Sequence, residues 1–146
     1  LDGKTYEMFC PMILSRVLCP VDFSSYSDNA IARLHATPGV GEAILLCVVS
    51  RGETKEEIED YQRRAREKIE IIRKQFAAQG IRARAIVRLG NPAFEITKVA
   101  EEEDVSVIWM SSVGRGWFAE LLIGSTAGAV AVNSRRPVII VRSKDT

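Results

Sequence analysis

Five short apolar runs punctuate the chain, each rich in Val and Ile: ILSRVLCPV (13–21), EAILLCVV (42–49), IRARAIVRL (81–89), VSVIWMS (105–111) and PVIIVR (137–142). Between them the apolar positions step by three or four, the period of one helical face. The longest such stretch carries Ile58, Tyr61, Ala65, Ile69, Ile72 and Phe76 on one side. Thr54 with Glu57 three residues later forms a capping box at its start, and Gly80 supplies a left-handed stop. Glu59, Arg63, Arg66 and Lys74 are expected on its solvated side. An earlier helix should open near Ser24 and turn Ala30, Ile31 and Leu34 inward. A third should open at Asn91-Pro92, with Asn as cap and Pro in the first turn, and run through Phe94, Ile96, Val99 and Ala100. The last should open at Ser125 or Thr126 and continue through Val130 to Asn133. Alternating strands and helices predict a parallel sheet with crossover helices. The second, fourth and fifth runs are near-continuously apolar, as strands covered on both faces should be. The expected fold is therefore α/β: a three-layer, doubly wound, five-stranded parallel sheet of strand order 3-2-1-4-5, Rossmann-like.

Length and charge narrow this little. At 146 residues the chain suits one domain, expected over 12–146, with 1–11 a lead that begins at Leu1 and has Met8 and Met12 as candidate native starts. The formal charge of +1 gives no global field for nucleic acid or an anionic membrane, so neither is expected as a partner. Cys10, Cys19 and Cys47 are odd in number, and two of them lie in apolar runs, which argues against a disulfide framework. No apolar run approaches a membrane span and the start lacks the features of a signal peptide, so a cytoplasmic location is expected.

Candidate chemistry gathers in SSVGRGWFAELLIGSTAG (111–128). Gly114 and Gly124 are separated by nine residues, and Gly124 is followed by Ser125 and Thr126 at a helix start. The first N–H groups of a helix lack internal partners and favour an anion, glycine lets backbone approach phosphate oxygens, and the hydroxyls can donate or help hold Mg²⁺. A plain turn and cap is the alternative. In a doubly wound sheet, ligands bind where the strand order reverses, here between the carboxyl ends of strands one and four. Asp22 follows strand one, where a carboxylate can accept from a ribose hydroxyl pair or cap the next helix. Val48, near the end of strand two, could meet an adenine edge through its backbone or simply pack in the core.

Pro20-Val21-Asp22, the LLCVV run, LGNPAFEIT, the WMSS end of strand four, Gly114 with Gly124-Ser125 nine residues on, and PVIIVR together resemble the universal stress protein family from about residue 13 onward. The resemblance extends to its ATP-binding branch, whose motif is G-x2-G-x9-G-[ST]. It implies an adenine nucleotide alpha hydrolase-like fold, with Pro20, Val21 and Asp22 bordering the nucleoside and Asp22 on the ribose. It also implies adenine read by the Val48 backbone, Met110 near sugar and base, and phosphates cradled by Gly114, Gly124, Ser125 and Thr126. The motif departs at Ser111, where the family has glycine. If that position needs a left-handed backbone, Ser costs about 1 to 2 kcal/mol. If it needs only close approach, the Ser Cβ crowds the ligand while its hydroxyl offers a new bond. Arg115 stands next to the implied phosphates, where it would add a charged contact or lie exposed in the loop. Trp117 and Phe118 could cover a bound nucleotide, but are expected to pack under that loop and hold its shape.

Little in the chain serves catalysis. His35, the one histidine, falls on a helix surface with no Ser or Cys partner, and Glu101-Glu102-Glu103-Asp104 reads as solvated surface. No Cys/His metal spacing, P-loop or receiver-domain aspartate is present. A nucleotide-responsive binding module is expected, with slow ATP hydrolysis or autophosphorylation as the most it would turn over. The alternative is a scaffold of the same fold that binds no nucleotide and acts through protein contacts, for which Ser111 argues. An apolar strand five (Val138 to Val141) at the sheet edge would pair with its counterpart in a second copy, and the resemblance implies the same homodimer.

Overall fold

A computed structural model describes residues 13–114 and 123–142. The expected lead over 1–11, Cys10, Arg115, Trp117 and Phe118 lie outside the described residues. Five strands, β1 (Val17–Pro20), β2 (Glu42–Val49), β3 (Arg82–Leu89), β4 (Val107–Ser111) and β5 (Val138–Val141), form one sheet in the order β3-β2-β1-β4-β5, every pair parallel. Four helices alternate with them: α1 (Ser25–His35), α2 (Lys55–Ala78), α3 (Pro92–Glu102) and α4 (Ser125–Asn133). The fold is the Rossmann-like α/β architecture that the alternation of periods predicts.

Successive strand side chains point to opposite faces, so a continuous apolar run builds two cores at once. Val17, Cys19, Leu45 and Trp109 face Ile31, Leu34, Ile69 and Phe76 of α1 and α2. Leu18, Ile44, Leu46 and Met110 face Ile96, Val99, Ala127 and Val130 of α3 and α4. Trp109 Nε1 donates to Ala30 O at 2.9 Å, which satisfies the buried indole and ties β4 to α1. Cys19 and Cys47 are buried and unbridged, and burial pushes the Cys19 thiol up to about 12, so it packs as a neutral hydrophobe.

Three helix starts are closed by side chains: Ser24, Thr54 and Asn91 accept from the N–H of Ser27, Glu57 and Phe94. The return arm of the Thr54 box falls one residue earlier than usual, with Glu57 Oε2 accepting from Glu53 N–H at 2.9 Å. Gly80, at φ 81°, ends α2, and Ile81 N–H reaches back to Phe76 O at 3.1 Å.

Three expectations are corrected. Phe94 is 62% exposed. Two residues ahead of Ile96, it sits about 200° around the helix from the Ile96, Val99 and Ala100 face. His35 is half-buried rather than on the surface, edge-on to Phe76 at 4.9 Å, with Nε2 3.3 Å from Gln75 O. The acidic run is paired rather than merely solvated: Glu101 and Asp104 with Arg136, Glu102 with Arg88, and Glu103 with Arg84. Arg136 correspondingly holds the Glu101 carboxyl below its ordinary range.

Candidate nucleotide site

The strand order reverses between β1 and β4, and a cleft of about 740 Å³ opens there at the carboxyl ends of the strands. Pro20, Val21, Asp22, Val48, Met110, Ser111, Gly114, Gly124, Ser125 and Thr126 all line it. Met110 is buried and forms floor on the α3/α4 side.

β1 ends earlier than β2, and this exposes backbone to the cleft. The last register pair is Pro20 with Leu46, and Val21 N–H donates to Leu46 O at 2.8 Å. Backbone groups of residues two apart point to the same side of a strand. Those of Val48 are therefore directed past the end of β1 into the cleft, whereas Val49 O turns the other way and accepts from Gly90 N–H at 3.0 Å.

Asp22 and Gly114 meet directly. A Cβ built on Gly114 would collide with Asp22 Oδ2, so glycine is what allows the carboxylate of β1 and the loop after β4 to lie together. Gly124 N–H donates to Ser112 O at 2.6 Å, and a Cβ on Gly124 would stand 3.3 Å from both Ser112 O and Val113 Cα. The backbone on either side of residues 115–122 is thus stitched together beside Asp22.

Gly124 caps α4 without a side-chain hydrogen bond, and the first bond within the helix is Gly128 N–H to Gly124 O at 2.9 Å. The N–H groups of Ser125, Thr126 and Ala127 precede that bond and belong to a turn that lines the cleft. Partial positive charge at such a turn attracts an anion.

Ser111 settles one alternative. It is the last residue of β4, and among described non-glycine residues only Phe23 and Asp104 have positive φ. No left-handed strain arises at Ser111, which overturns that reading of the missing glycine. Its hydroxyl donates to Val113 O at 2.8 Å and so braces the loop.

The opposite wall was not anticipated. Tyr61, Arg64, Ala65 and Lys68 of α2, with Phe23 and Arg51, line the cleft, and Lys68 Nζ lies 5.3 Å from the Phe23 ring centroid. The signal was available in the spacing: positions 61, 64, 65 and 68 continue the inward stripe of α2 beyond the sheet, where cations replace aliphatic residues. Among the described residues, no three His, Cys, Asp or Glu side chains gather as a metal site, and no helix is long and apolar enough to cross a membrane.

A family model described as "Universal stress protein family" matches residues 14–142. The chain belongs to that family. It is 29% identical to universal stress protein MJ0577 of Methanocaldococcus jannaschii over 92% of this chain and 99% of the relative. The solved structure of MJ0577 superposes with a TM-score of 0.81 at 31% identity, over 92% of this chain and 99% of that one. Two more distant members of the family share the fold. One, in complex with cAMP, has a TM-score of 0.63 at 22% identity, covering 88% of this chain and 97% of the other. The second, from Arabidopsis thaliana with AMP bound, has a TM-score of 0.67 at 16% identity, covering 90% and 94%.

Proposed function

We propose that this universal stress protein binds an adenine nucleotide, ATP in the first instance, in the cleft between β1 and β4. The observation that carries the reading is the contact of Asp22 with Gly114 in the same cleft as the side-chain-free start of α4. On this reading the Asp22 carboxylate would take the sugar and the start of α4 the phosphates, both lining one cleft. The purine would lie against Val48 and Met110, with the Val48 backbone meeting its edge. Ribose would lie at Pro20, Val21 and Asp22, and phosphates at Gly114, Gly124, Ser125 and Thr126, with Arg115 contributing from the adjoining loop. The hydroxyls of Ser125 and Thr126 would help hold Mg²⁺ brought with the phosphates. Bound cAMP and AMP in two proteins of the same fold support the class of ligand.

These residues would bind and orient the nucleotide, with slow ATP hydrolysis or autophosphorylation the most they would turn over. On this reading the protein acts in the cytoplasm as a nucleotide-responsive module: the ligand biases the 111 to 126 loop and so changes what a homodimer, paired through β5, presents to other proteins. Calorimetric titration with Mg-ATP tests this. Saturable binding with one nucleotide per chain is expected. Absence of heat at millimolar ligand would favour a scaffold acting through protein contacts alone.

A further inference from the structure

The α2 wall of the cleft is cationic. Arg64 and Lys68, one turn apart on the same face of α2, line it together with Arg51, which follows β2, and Asp22 is the one carboxylate among the described residues of the lining. Arg64 Nε shares Asp60 at 3.1 Å in an exposed pair that costs little to loosen. Among the described residues no carboxylate lies within ion-pair distance of Arg51 or Lys68. Lys68 is nevertheless held. Its Nζ stands 5.3 Å from the centroid of the Phe23 ring, a face that attracts the ammonium without accepting a conventional hydrogen bond from it. Phe23 in turn has a φ of 63°, a left-handed backbone that a bulky residue keeps only where its surroundings impose it, here by packing on the α1/α2 core.

Asp22 lies between this wall and the start of α4. Residues of α2 pack on one face of the sheet and those of α4 on the other, so the two reach the cleft from opposite sides of the strand ends. Asp22 meets Gly114 on the α4 side and is followed in the chain by Phe23 on the α2 side. In ribose the 2′ and 3′ oxygens project from the face of the ring opposite C5′. A ribose at Asp22 whose 5′ phosphates run to α4 therefore turns those oxygens toward the α2 wall.

We infer that Arg51, Arg64 and Lys68 form a second phosphate subsite, which takes a phosphate on the 2′ or 3′ oxygen of the ribose. The cleft then favours adenosine bisphosphates, with a phosphate on each side of the sugar, over AMP. The inference rests on the nucleotide reading above and adds a ligand class to it. Arginine and lysine donors bind phosphate oxygens through charge-assisted hydrogen bonds, the strong kind. Three cations also outweigh the repulsion from Asp22, whose Oδ1 already accepts from the N–H and hydroxyl of Ser24.

Dissociation constants for AMP, ADP, adenosine 3′,5′-bisphosphate and adenosine 2′,5′-bisphosphate test this in the wild-type protein and in the double variant Arg64→Gln, Lys68→Gln. ADP and the two bisphosphates are isomers that differ only in where the second phosphate is attached. In the wild type one bisphosphate should bind at least about tenfold more tightly than AMP, and the better of the two identifies the oxygen. In the double variant that advantage should fall by about threefold or more, while the ratio of ADP to AMP moves by less than about twofold, because the second phosphate of ADP lies at the α4 end. Glutamine is a good helix former, so α2 should stand. Arg51→Gln, outside the helix, should lower the same advantage and serves if the double variant folds poorly. A smaller advantage for both bisphosphates in the wild type, an advantage that survives the substitutions, or an equal loss for ADP would overturn the inference while leaving the nucleotide reading intact. Failure of the wild-type protein to bind ATP or any of the four would remove both.

Discussion

The contact between Asp22 and Gly114 joins two segments 92 residues apart into one site, and it is sensitive to a single methyl group. The atom in the way is the end of a side chain, so Gly114→Ala should fold normally with Asp22 swung aside. The thermal midpoint should change by only a few degrees, while ATP affinity falls at least tenfold in titration. Unchanged affinity would mean that Asp22 is not a ligand-binding group. Ser111 makes the complementary case. Its backbone is unstrained strand and its hydroxyl holds Val113 O, so Ser111→Gly relieves nothing and removes a brace. Affinity for ATP should stay within about threefold or weaken, and tenfold tightening would show that the Ser Cβ obstructs the ligand.

At the scale of elements, α4 differs from the other three helices in the chemistry of its start. Ser24, Thr54 and Asn91 fill the first turns of α1, α2 and α3, while Gly124 leaves that of α4 without a side-chain acceptor. Gly124→Val would set a branched Cβ 3.3 Å from both Ser112 O and Val113 Cα, where backbone must give way, and shift the turn away from the cleft. ATP binding should be lost with the far-ultraviolet circular dichroism unchanged, whereas retained binding would place the phosphates elsewhere. The strands, helix faces and caps were legible because each depends on spacing within a few residues: Thr54 to Glu57, Asn91 before Pro92, the stripe from Ile58 to Phe76. What the spacing did not carry was contact across the fold. The pairing of Glu101 to Asp104 with Arg84, Arg88 and Arg136 joins α3 to residues on β3 and before β5. Likewise, Arg64 and Lys68 become cleft wall only because α2 passes the residues that follow the carboxyl end of β1, where Lys68 meets Phe23.

For the whole molecule, the strand order puts β3 and β5 at the two edges and the cleft at the reversal between β1 and β4. The edges are finished differently. β3 carries Arg82, Arg84 and Arg88, charges that discourage pairing with another chain, whereas β5 is wholly aliphatic. Pro137 O and Val141 O accept from β4, so the groups of residues two apart from these face β4, and those of Ile140 face outward. Ile140→Pro should therefore spare the β4 ladder and block addition of a second chain at the open edge. A monomer by sedimentation where the wild type is a dimer is the expected result, and an unchanged dimer would place the interface elsewhere. The position of the cleft was readable from the alternation of periods, since topology alone puts it beside Asp22 and Ser111. The reach of the Val48 backbone past the end of β1 was not, because it depends on a difference in strand length that the apolar run at 13–21 conceals. The most direct test of the nucleotide reading is a crystal grown with Mg-ATP. It should show density running from the Val48 backbone across Asp22 Oδ2 to the N–H groups of Ser125, Thr126 and Ala127. Nucleotide bound anywhere else, or a cleft without density in crystals grown at millimolar ATP, would contradict it.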